Sequence, residues 1–415
     1  MEETGKTGYR EVFTQKEYVK LMLSNMVNRF GDSVDVIAFE WLVYQITGSA
    51  AWAAVIFGIN NLPTVLLQPF AGVLVEGMDK KKVMVVTDCI RGIITAGLVA
   101  LYLTGNVTPW ILVAFTLLNS TVEAFSLPAG MALVPKLLEE KYYEYGTSLS
   151  NTVSTVVQLL GMGAAGVIIG IFGIWVAIFI DAVSFFGSAF IRSFIRINGR
   201  ESRRERLNLG AYKKELAEGA KYLKEVPVVR NFCLLGVVVN AAVVPLNALQ
   251  TPLAYEVMGQ GSEMLSVMSV LLTLGMLAGS LIFPKLNENF SVRANVITGG
   301  VVIGISCMAY TLGSCLKQLP WAVYLLAGVV SFLIGISVSI VSGVLSVQFM
   351  KAVRQEYLAR VGAIFNASAT AAMPVTSFLI SGLASKFSVV QIFIVSGMLL
   401  VVLFSYAGVR KVRLE

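Results

Sequence analysis

Long uncharged stretches alternate with short charged ones along most of the 415-residue chain. A helix needs roughly 20 apolar residues to cross a bilayer once. Each uncharged stretch reaches that length, and some are long enough for two crossings joined by a turn. The stretches are 41–75, 92–122, 145–180, 231–255, 264–284, 294–316, 318–350, 361–385 and 387–409. The pattern therefore predicts a polytopic membrane protein.

The length of these stretches also predicts the type of element. Strands of a membrane β-barrel are segments of about 10 residues with alternating polarity, whereas a helix closes its backbone hydrogen bonds within one continuous apolar run. We therefore expect an all-α fold. Turn-forming residues divide the chain into twelve predicted transmembrane helices, at 18–46, 51–75, 83–104, 108–130, 147–171, 174–195, 228–256, 263–284, 293–314, 319–349, 357–384 and 387–409.

A polar segment in the middle of the chain separates two groups of six predicted helices. We expect an N-terminal six-helix bundle over 1–195, a cytoplasmic linker over 196–226 and a C-terminal six-helix bundle over 227–415. Within the linker, apolar residues recur at helical spacing opposite lysines and glutamates, which is typical of an amphipathic helix on a membrane surface. These apolar residues are Leu209, Tyr212, Leu216, Ala220 and Leu223.

The distribution of lysines and arginines predicts how the chain is oriented in the membrane. If the N-terminus is cytoplasmic, all 32 lysines and arginines except Arg29, Lys317 and Lys386 fall in predicted cytoplasmic segments, as expected for basic residues in short loops. Only 14% of residues are charged and mean hydropathy is +0.76, against about 25% charged in soluble domains. The net charge of +7 is therefore a topology signal, and we expect contact with membrane lipid and none with nucleic acid.

Several kinds of chemistry are not expected from this composition. The chain has no histidine, which excludes HExxH zinc sites and histidine-dependent nucleophiles. Its four cysteines are isolated from one another and show no metal-ligand spacing. It also contains no G-x-x-x-x-G-K-[ST] nucleotide motif. We expect neither enzyme activity, nor a cofactor, nor a metal; an intramembrane enzyme or a non-transporting sensor is the alternative from another class.

Ionisable residues within predicted membrane helices are the candidate functional residues, because a charge at membrane depth is costly unless it is paired or hydrated. Helix 1 carries Arg29, Asp32, Asp35 and Glu40, and helix 4 carries Glu123. We expect Asp32 to be the main proton-linked carboxylate, with Arg29 beside it and Asp35 or Glu40 as partners. Arg29 and Asp32 are three residues apart and can pair on one helix face. The alternative is a purely structural ion pair.

Two further candidate roles stay open at this point. Glu123 either binds a proton or a cationic substrate, or forms a hydrogen bond to Asn119 or to a neighbouring helix. The position of Asp181 near the outer end of helix 6 favours a structural role, in orienting the helix, over a role in transport. Polar side chains that either line a cavity or tie helices together are Asn60, Asn61, Asn151, Gln158, Asn240, Asn247, Gln250, Gln348 and Asn366.

The segment GVLVEGMDKKKVMVVTDCIRG follows helix 2, and it resembles motif A of the major facilitator superfamily. It keeps the glycine and leucine of G-x-L-x-D-R-x-G-R-R and continues into a D-x-x-R pattern, although Glu76 and Gly77 replace the motif's aspartate and arginine. Further segments are similar to the macrolide-efflux and enterobactin-exporter branch: RFGDSVDVIAFEWLVYQITGS, SLPAGMALVPKLL, GVIIGIFGIWVAIFIDAVSFFGSA and LAEGAKYLKEVPVVRNF. The resemblance implies a cytoplasmic gate built from Gly72, Glu76, Asp79, Asp88 and Arg91.

The resemblance implies a secondary active transporter that exports amphipathic or drug-like small molecules by alternating access. We expect a proton antiporter that is monomeric and lies in the bacterial cytoplasmic membrane with both termini in the cytoplasm. A siderophore exporter and a lysophospholipid transporter are the alternatives within the transporter class.

Overall fold

The computed structural model describes residues 9–197, 221, 225–354 and 358–409, and long helices account for most of them. We number the long helices in chain order. They are α1 Lys16–Thr47, α2 Ala50–Glu76, α3 Lys80–Leu103, α4 Pro109–Leu137, α5 Tyr143–Phe172, α6 Ile174–Ser193, α7 Pro227–Ala248, α8 Ser262–Asn289, α9 Val292–Tyr310, α10 Pro320–Ala352, α11 Leu358–Ala384 and α12 Val389–Val409. The predicted all-α architecture is confirmed.

The helices begin and end at the turn-forming residues that the sequence marks. Asp79 caps α3, because its side chain accepts a hydrogen bond from the backbone N–H of Lys82. Thr108 caps α4 in the same way. Gly48 lies between α1 and α2 with φ 58°, and Gly105 follows α3 with φ 70°. Glycine is favoured at both turns because other side chains are strained in this left-handed conformation.

Eleven described helices are long and apolar enough to cross a membrane. They are α2 to α12, which confirms a multi-pass membrane protein. With 32 residues, α1 is also long enough, but its middle carries Arg29, Asp32, Asp35 and Glu40. A twelfth crossing by α1 therefore stays a prediction.

The seventh predicted helix, 228–256, is interrupted in the structure. Helix α7 ends at Ala248, and the chain continues through the short Gln250–Pro252 turn into a π-helical segment, Leu253–Val257. Pro252 contributes to the break, because it has no N–H to donate to the carbonyl four residues earlier.

The chain forms two compact units: Met1–Leu42 with Pro63–Leu207, and Val43–Leu62 with Asn208–Glu415. In the first unit, α3 packs against α4 and α6, and α5 packs against α6. In the second unit, α8 packs against α10, α9 against α10 and α12, and α7 against α11. The predicted linker at 196–226, with its amphipathic helix over 209–223, lies almost entirely outside the described residues, and the predicted domain boundaries stay a prediction.

The first unit has an apolar core near one end of its helices. There, buried side chains from α1, α3 and α4 meet, including Leu21, Met84 and Leu133. Tyr18 is also buried, and its hydroxyl donates to the carbonyl of Gly146 at 2.7 Å. This core holds α1, α3 and α4 together near one end, and the charged side chains of the next section lie closer to the middle of these helices.

Candidate transport site

A buried arginine on α3 joins side chains of three other helices in the first unit. Arg91 Nη2 lies 3.2 Å from Asp32 Oδ1 on α1 and 3.8 Å from Glu123 Oε2 on α4. Its Nε donates to Asn119 Oδ1 on α4 at 2.7 Å. The guanidinium also lies 4.2 Å from the ring centroid of Phe185 on α6. We call Arg91, Asp32, Glu123 and Asn119 the Arg91 cluster.

Exposure differs among the charged groups of the Arg91 cluster. The Arg91 side chain is 10% exposed, Asp32 31% and Glu123 41%. The positive charge is therefore held inside the bundle, whereas both carboxylates remain partly accessible. A proton or a cationic group can reach these carboxylates without displacing the arginine.

A second ion pair lies one helical turn along α3 from Arg91. Asp88 Oδ2 lies 2.6 Å from Arg192 Nη1 of α6, and both side chains are almost completely buried. Polar side chains of α1 and α6 complete the hydrogen bonding: Ser188 and Asn28 donate to Asp88, and Arg192 donates to Ser24 and Asn25. Many well-aligned partners are what makes a buried ion pair tolerable.

Further acids lie on the helices around the Arg91 cluster. Asp181 of α6 is buried and accepts a hydrogen bond from Ser184 Oγ at 3.3 Å. It lies within electrostatic range of Asp35, Asp32 and Arg91. Among the described residues, Asp35 Oδ1 and Glu40 Oε2 have no hydrogen-bond partner and are shielded from solvent. The first unit therefore has more carboxylates than buried arginines in this region.

Close approach of α1 and α6 brings Asp181 to this region. A Cβ at Gly31 would lie 2.7 Å from Asp181 Oδ1 and would also collide with Ser184. Only glycine at this position lets the two helices come so near, as small residues do at many membrane helix interfaces.

Arg29 has a different partner from the one expected. Its Nη2 donates to Gln158 Oε1 on α5 at 2.6 Å, whereas the ion pair of Asp32 is with Arg91. Spacing along one helix could not show this, because the competing partners come from α3 and α5. Gln158 thereby ties α5 to α1, one of the two roles left open for it.

Comparison with known proteins is consistent with this helical, charge-paired bundle. Residues 21–377 match the family model described as Major Facilitator Superfamily. The chain belongs to the major facilitator superfamily. It is 25% identical over 370 residues to macrolide efflux protein A of Streptococcus pyogenes, covering 88% of each chain. It is also 25% identical to the multidrug efflux pump Tap of Mycolicibacterium fortuitum, covering 74% of this chain and 75% of that one.

A solved structure is similar to this transporter in fold. The nucleoside transporter NupG superposes with a TM-score of 0.77 over 96% of this chain and 100% of that one, at 13% sequence identity. At that identity the likeness shows the fold alone. The two relatives confirm the resemblance to the efflux branch of the superfamily. The chain is a multi-pass membrane protein of a family that transports small molecules.

The residues expected at a cytoplasmic gate occupy separate positions in this transporter. Asp79 caps α3 and lies 3.8 Å from Lys82 Nζ. Asp88 and Arg91 form ion pairs inside the first unit. Gly72 lies where a Cβ would just contact Pro128, at 4.0 Å, and the Glu76 side chain lies outside the described part of the structure. Their role as a gate stays a prediction.

Several residues of the transporter's ionic clusters were not among the predicted site residues. The pattern of basic loops makes Arg192 a cytoplasmic topology charge, Asn119 is expected only as a hydrogen-bond partner of Glu123, and Ser188 is not singled out. The sequence does contain a sign that Arg192 is buried, because it is a charged residue within the otherwise apolar helix α6, eleven residues after Asp181. Its partner Asp88, however, is 104 residues away along the chain, and only the packing of α3 against α6 brings them together.

Proposed function

We propose that this transporter exports amphipathic, drug-like molecules by alternating access in exchange for protons. Relatives that act in macrolide and multidrug efflux support the substrate class. The Arg91 cluster supports the proton coupling. The observation that carries the proposal is the sharing of one buried guanidinium by the carboxylates of Asp32 and Glu123.

Charge balance explains why this arrangement suits an antiporter. When Asp32 and Glu123 are both ionised, Arg91 neutralises only one of them. Uncompensated charge inside a membrane protein is costly. A proton on either carboxylate removes the excess, and so does a cationic group of a substrate. Proton and substrate therefore compete for one cluster, which is the requirement for exchange.

Conformational coupling follows from the position of Arg91 on α3. Arg91 is three residues beyond Asp88, and both belong to the predicted gate residues together with Gly72, Glu76 and Asp79. Protonation of Asp32 weakens its hold on Arg91 and so loosens this contact between α3 and α1, while Asn28 of α1 keeps its hydrogen bond to Asp88. In this proposal Asp88 and Arg192 keep α3 attached to α6, so that α3 and α6 move together.

The remaining assignments belong to the same proposal. The transporter functions as a monomer without chemical change of its substrate, with twelve crossings in a bacterial cytoplasmic membrane. Basic residues in the predicted cytoplasmic loops support cytoplasmic termini. Glu123, Asp35 and Glu40 act as secondary acids of the proton path, and Arg29 holds α1 against α5 through Gln158.

Inverted membrane vesicles provide the test. We expect an imposed pH gradient to drive accumulation of ethidium, tetraphenylphosphonium or a macrolide in vesicles that contain the wild-type protein. For Asp32→Asn, gradient-driven accumulation should fall to the level of vesicles without the transporter, while exchange of labelled for unlabelled substrate continues. Exchange without a gradient requires binding and cycling but no net proton movement.

Glu139→Gln is the matched control. Glu139 is an exposed carboxylate between α4 and α5 that pairs with Lys141 at 2.8 Å. Hydrogen bonds from Lys141 and Gln15 lower the pKa of Glu139, so it stays ionised near neutral pH. Its amide variant should transport like the wild type. Gradient-driven accumulation by Asp32→Asn at the wild-type rate would refute the assignment of Asp32.

A further inference from the structure

A cavity of about 260 Å³ lies within the second unit, with walls from α7, α8, α9, α10 and α11. Its lining is mainly aliphatic, and none of its lining residues is Asp, Glu, Lys or Arg. The polar side chains that line it include three amides, those of Asn240, Asn247 and Gln250. The volume is near the lower end of the roughly 300 to 1,000 Å³ typical of ligand pockets.

The three amides have hydrogen-bonding capacity left over. Asn240 Nδ2 donates to the carbonyl of Gly236 at 3.0 Å, and Gln250 Nε2 donates to Ser269 Oγ at 3.2 Å. Within the described part of the chain, no hydrogen bond is found for the Asn247 side chain. Each amide can form about four hydrogen bonds, so the cavity wall offers both donors and acceptors to a ligand.

The helix irregularity after α7 lies at this wall. Asn247 comes just before the end of α7 at Ala248, and Gln250 opens the short turn that leads into the π-helical Leu253–Val257 segment. Pi-helical turns are rare and frequently mark functional sites. Asn247 and Gln250 are three residues apart, about 60° around a helix axis, and both line the cavity.

Methionines form part of the remaining wall. Met268, Met276 and Met373 come from α8 and α11 and contribute flexible, polarisable side chains. Surfaces of this kind can repack around ligands of different shape, as in many promiscuous binders. The cavity therefore combines an adaptable apolar wall with fixed polar groups and no charge.

We propose that this cavity is a binding site for uncharged, hydrogen-bonding parts of the exported molecules, namely hydroxyl, amide or carbonyl groups on an apolar frame. The site deepens the proposed function and rests on it, since it names the chemical class that the second unit recognises. Asn247 is the principal polar contact, because its amide gains partners when a ligand binds. The carboxylates of the Arg91 cluster serve protons and cations instead.

Equilibrium binding to purified protein in lipid nanodiscs tests this site without any gradient. The probes are radiolabelled chloramphenicol, which is uncharged and carries hydroxyl and amide groups, and tetraphenylphosphonium, a cation without hydrogen-bonding groups. For Asn247→Leu we expect the Kd of chloramphenicol to rise about tenfold, as for the loss of a buried hydrogen bond. The Kd of tetraphenylphosphonium should stay unchanged. Gln250→Met, which keeps size and shape, should act in the same direction.

Two controls keep the outcome interpretable. Asn106→Leu changes an exposed amide between α3 and α4 and should leave both affinities unchanged, and Glu139→Gln, which changes an exposed carboxylate between α4 and α5, should leave chloramphenicol binding intact. Thermal unfolding of each variant checks that it is folded. The proposal is overturned if the wild type does not bind chloramphenicol, or if folded Asn247→Leu and Gln250→Met bind it as tightly as the wild type. If the wild type binds chloramphenicol as expected but accumulates no substrate under a pH gradient, that result counts against the proton coupling and not against this binding site.

Discussion

Asp88 and Arg192 form a charge contact inside the first unit that is nearly closed to solvent. The Asp88 side chain is 1% exposed and the Arg192 side chain 5%, and serines and asparagines supply the remaining hydrogen bonds. By contrast, the side chains of Asp32 and Glu123 are partly exposed, and both contact Arg91. Asp88 and Arg91 lie one turn apart on α3, but their surroundings differ. The closed surroundings of Asp88 suit an ion pair that holds helices together, and the partly exposed carboxylates beside Arg91 suit the binding and release of protons.

Removing one partner of the buried pair should destabilise the protein strongly. Asp88→Asn leaves the Arg192 guanidinium buried without its counter-charge, and such losses cost about 3–5 kcal/mol. We expect a clear drop in the melting temperature of the detergent-solubilised protein, followed with a thiol-reactive dye that reports exposure of the buried Cys233 and Cys307.

The double variant separates charge from packing. Asp88→Asn combined with Arg192→Gln removes both charges and keeps hydrogen-bonding side chains, so it should recover part of the lost stability. Asp79→Asn, at the partly exposed cap of α3, should lower the melting temperature less than Asp88→Asn. A double variant no more stable than Asp88→Asn alone would show that the ion pair is not the cause.

At the scale of the helix, glycine decides how closely neighbours in the second unit approach. A Cβ on Gly275 or Gly279 of α8 would lie about 3.0 Å or less from backbone atoms of α10, at Phe332 and Ile336 respectively. A Cβ on Gly335 of α10 would likewise lie 2.8 Å from the backbone nitrogen of Met276 on α8. Backbone contact of this kind is the main source of association between membrane helices, since lipid gives no hydrophobic driving force between them.

Alanine substitution should therefore have opposite effects at two kinds of helical glycine. Gly275→Ala forces α8 away from α10, and overpacking of this kind costs about 1–3 kcal/mol. Gly97→Ala in α3 adds a methyl where nothing lies within 4 Å, so helix propensity should stabilise it by up to about 1 kcal/mol. Melting temperatures of the two variants should move in opposite directions. Equal shifts would mean that α8 and α10 separate easily.

At the scale of the whole molecule, the membrane topology depends on whether α1 crosses. Its charges keep it outside the group of eleven strongly apolar helices. In the structure, Arg29 and Asp32 nevertheless have partners on α5 and α3. Pairing inside the first unit lets a charged helix lie at membrane depth, which supports the crossing that the alternation of basic loops predicts.

The exposed Cys315, between α9 and α10, reports this topology without any substitution. With twelve crossings and a cytoplasmic N-terminus, Cys315 faces the external side. A membrane-impermeant maleimide should label it in intact cells, and Cys315→Ser should abolish the labelling.

Lys81→Cys in the Cys315→Ser background provides the opposite case. The new thiol lies in the first turn of α3, within the basic segment that follows α2, so it should react in inverted vesicles and not in intact cells. Labelling of Cys315 from the cytoplasmic side would reverse the proposed orientation.

The sequence by itself determined the all-α membrane fold, most helix boundaries and the family, because bilayer thickness, backbone hydrogen bonding and turn chemistry act locally along the chain. It also singled out Asp32 and Glu123, since charge is rare in apolar helices, and Asp88 and Arg91 through the resemblance to motif A. Only the tertiary structure decided the pairing: Arg91, rather than Arg29, holds Asp32. Ion pairs form between helices far apart in sequence, and the contact between two helices depends on packing, which one helix's periodicity does not contain. The break after α7 is likewise not predicted, because the uncharged run 231–255 continues through Pro252 and hydrophobicity alone does not show where helical hydrogen bonds are interrupted.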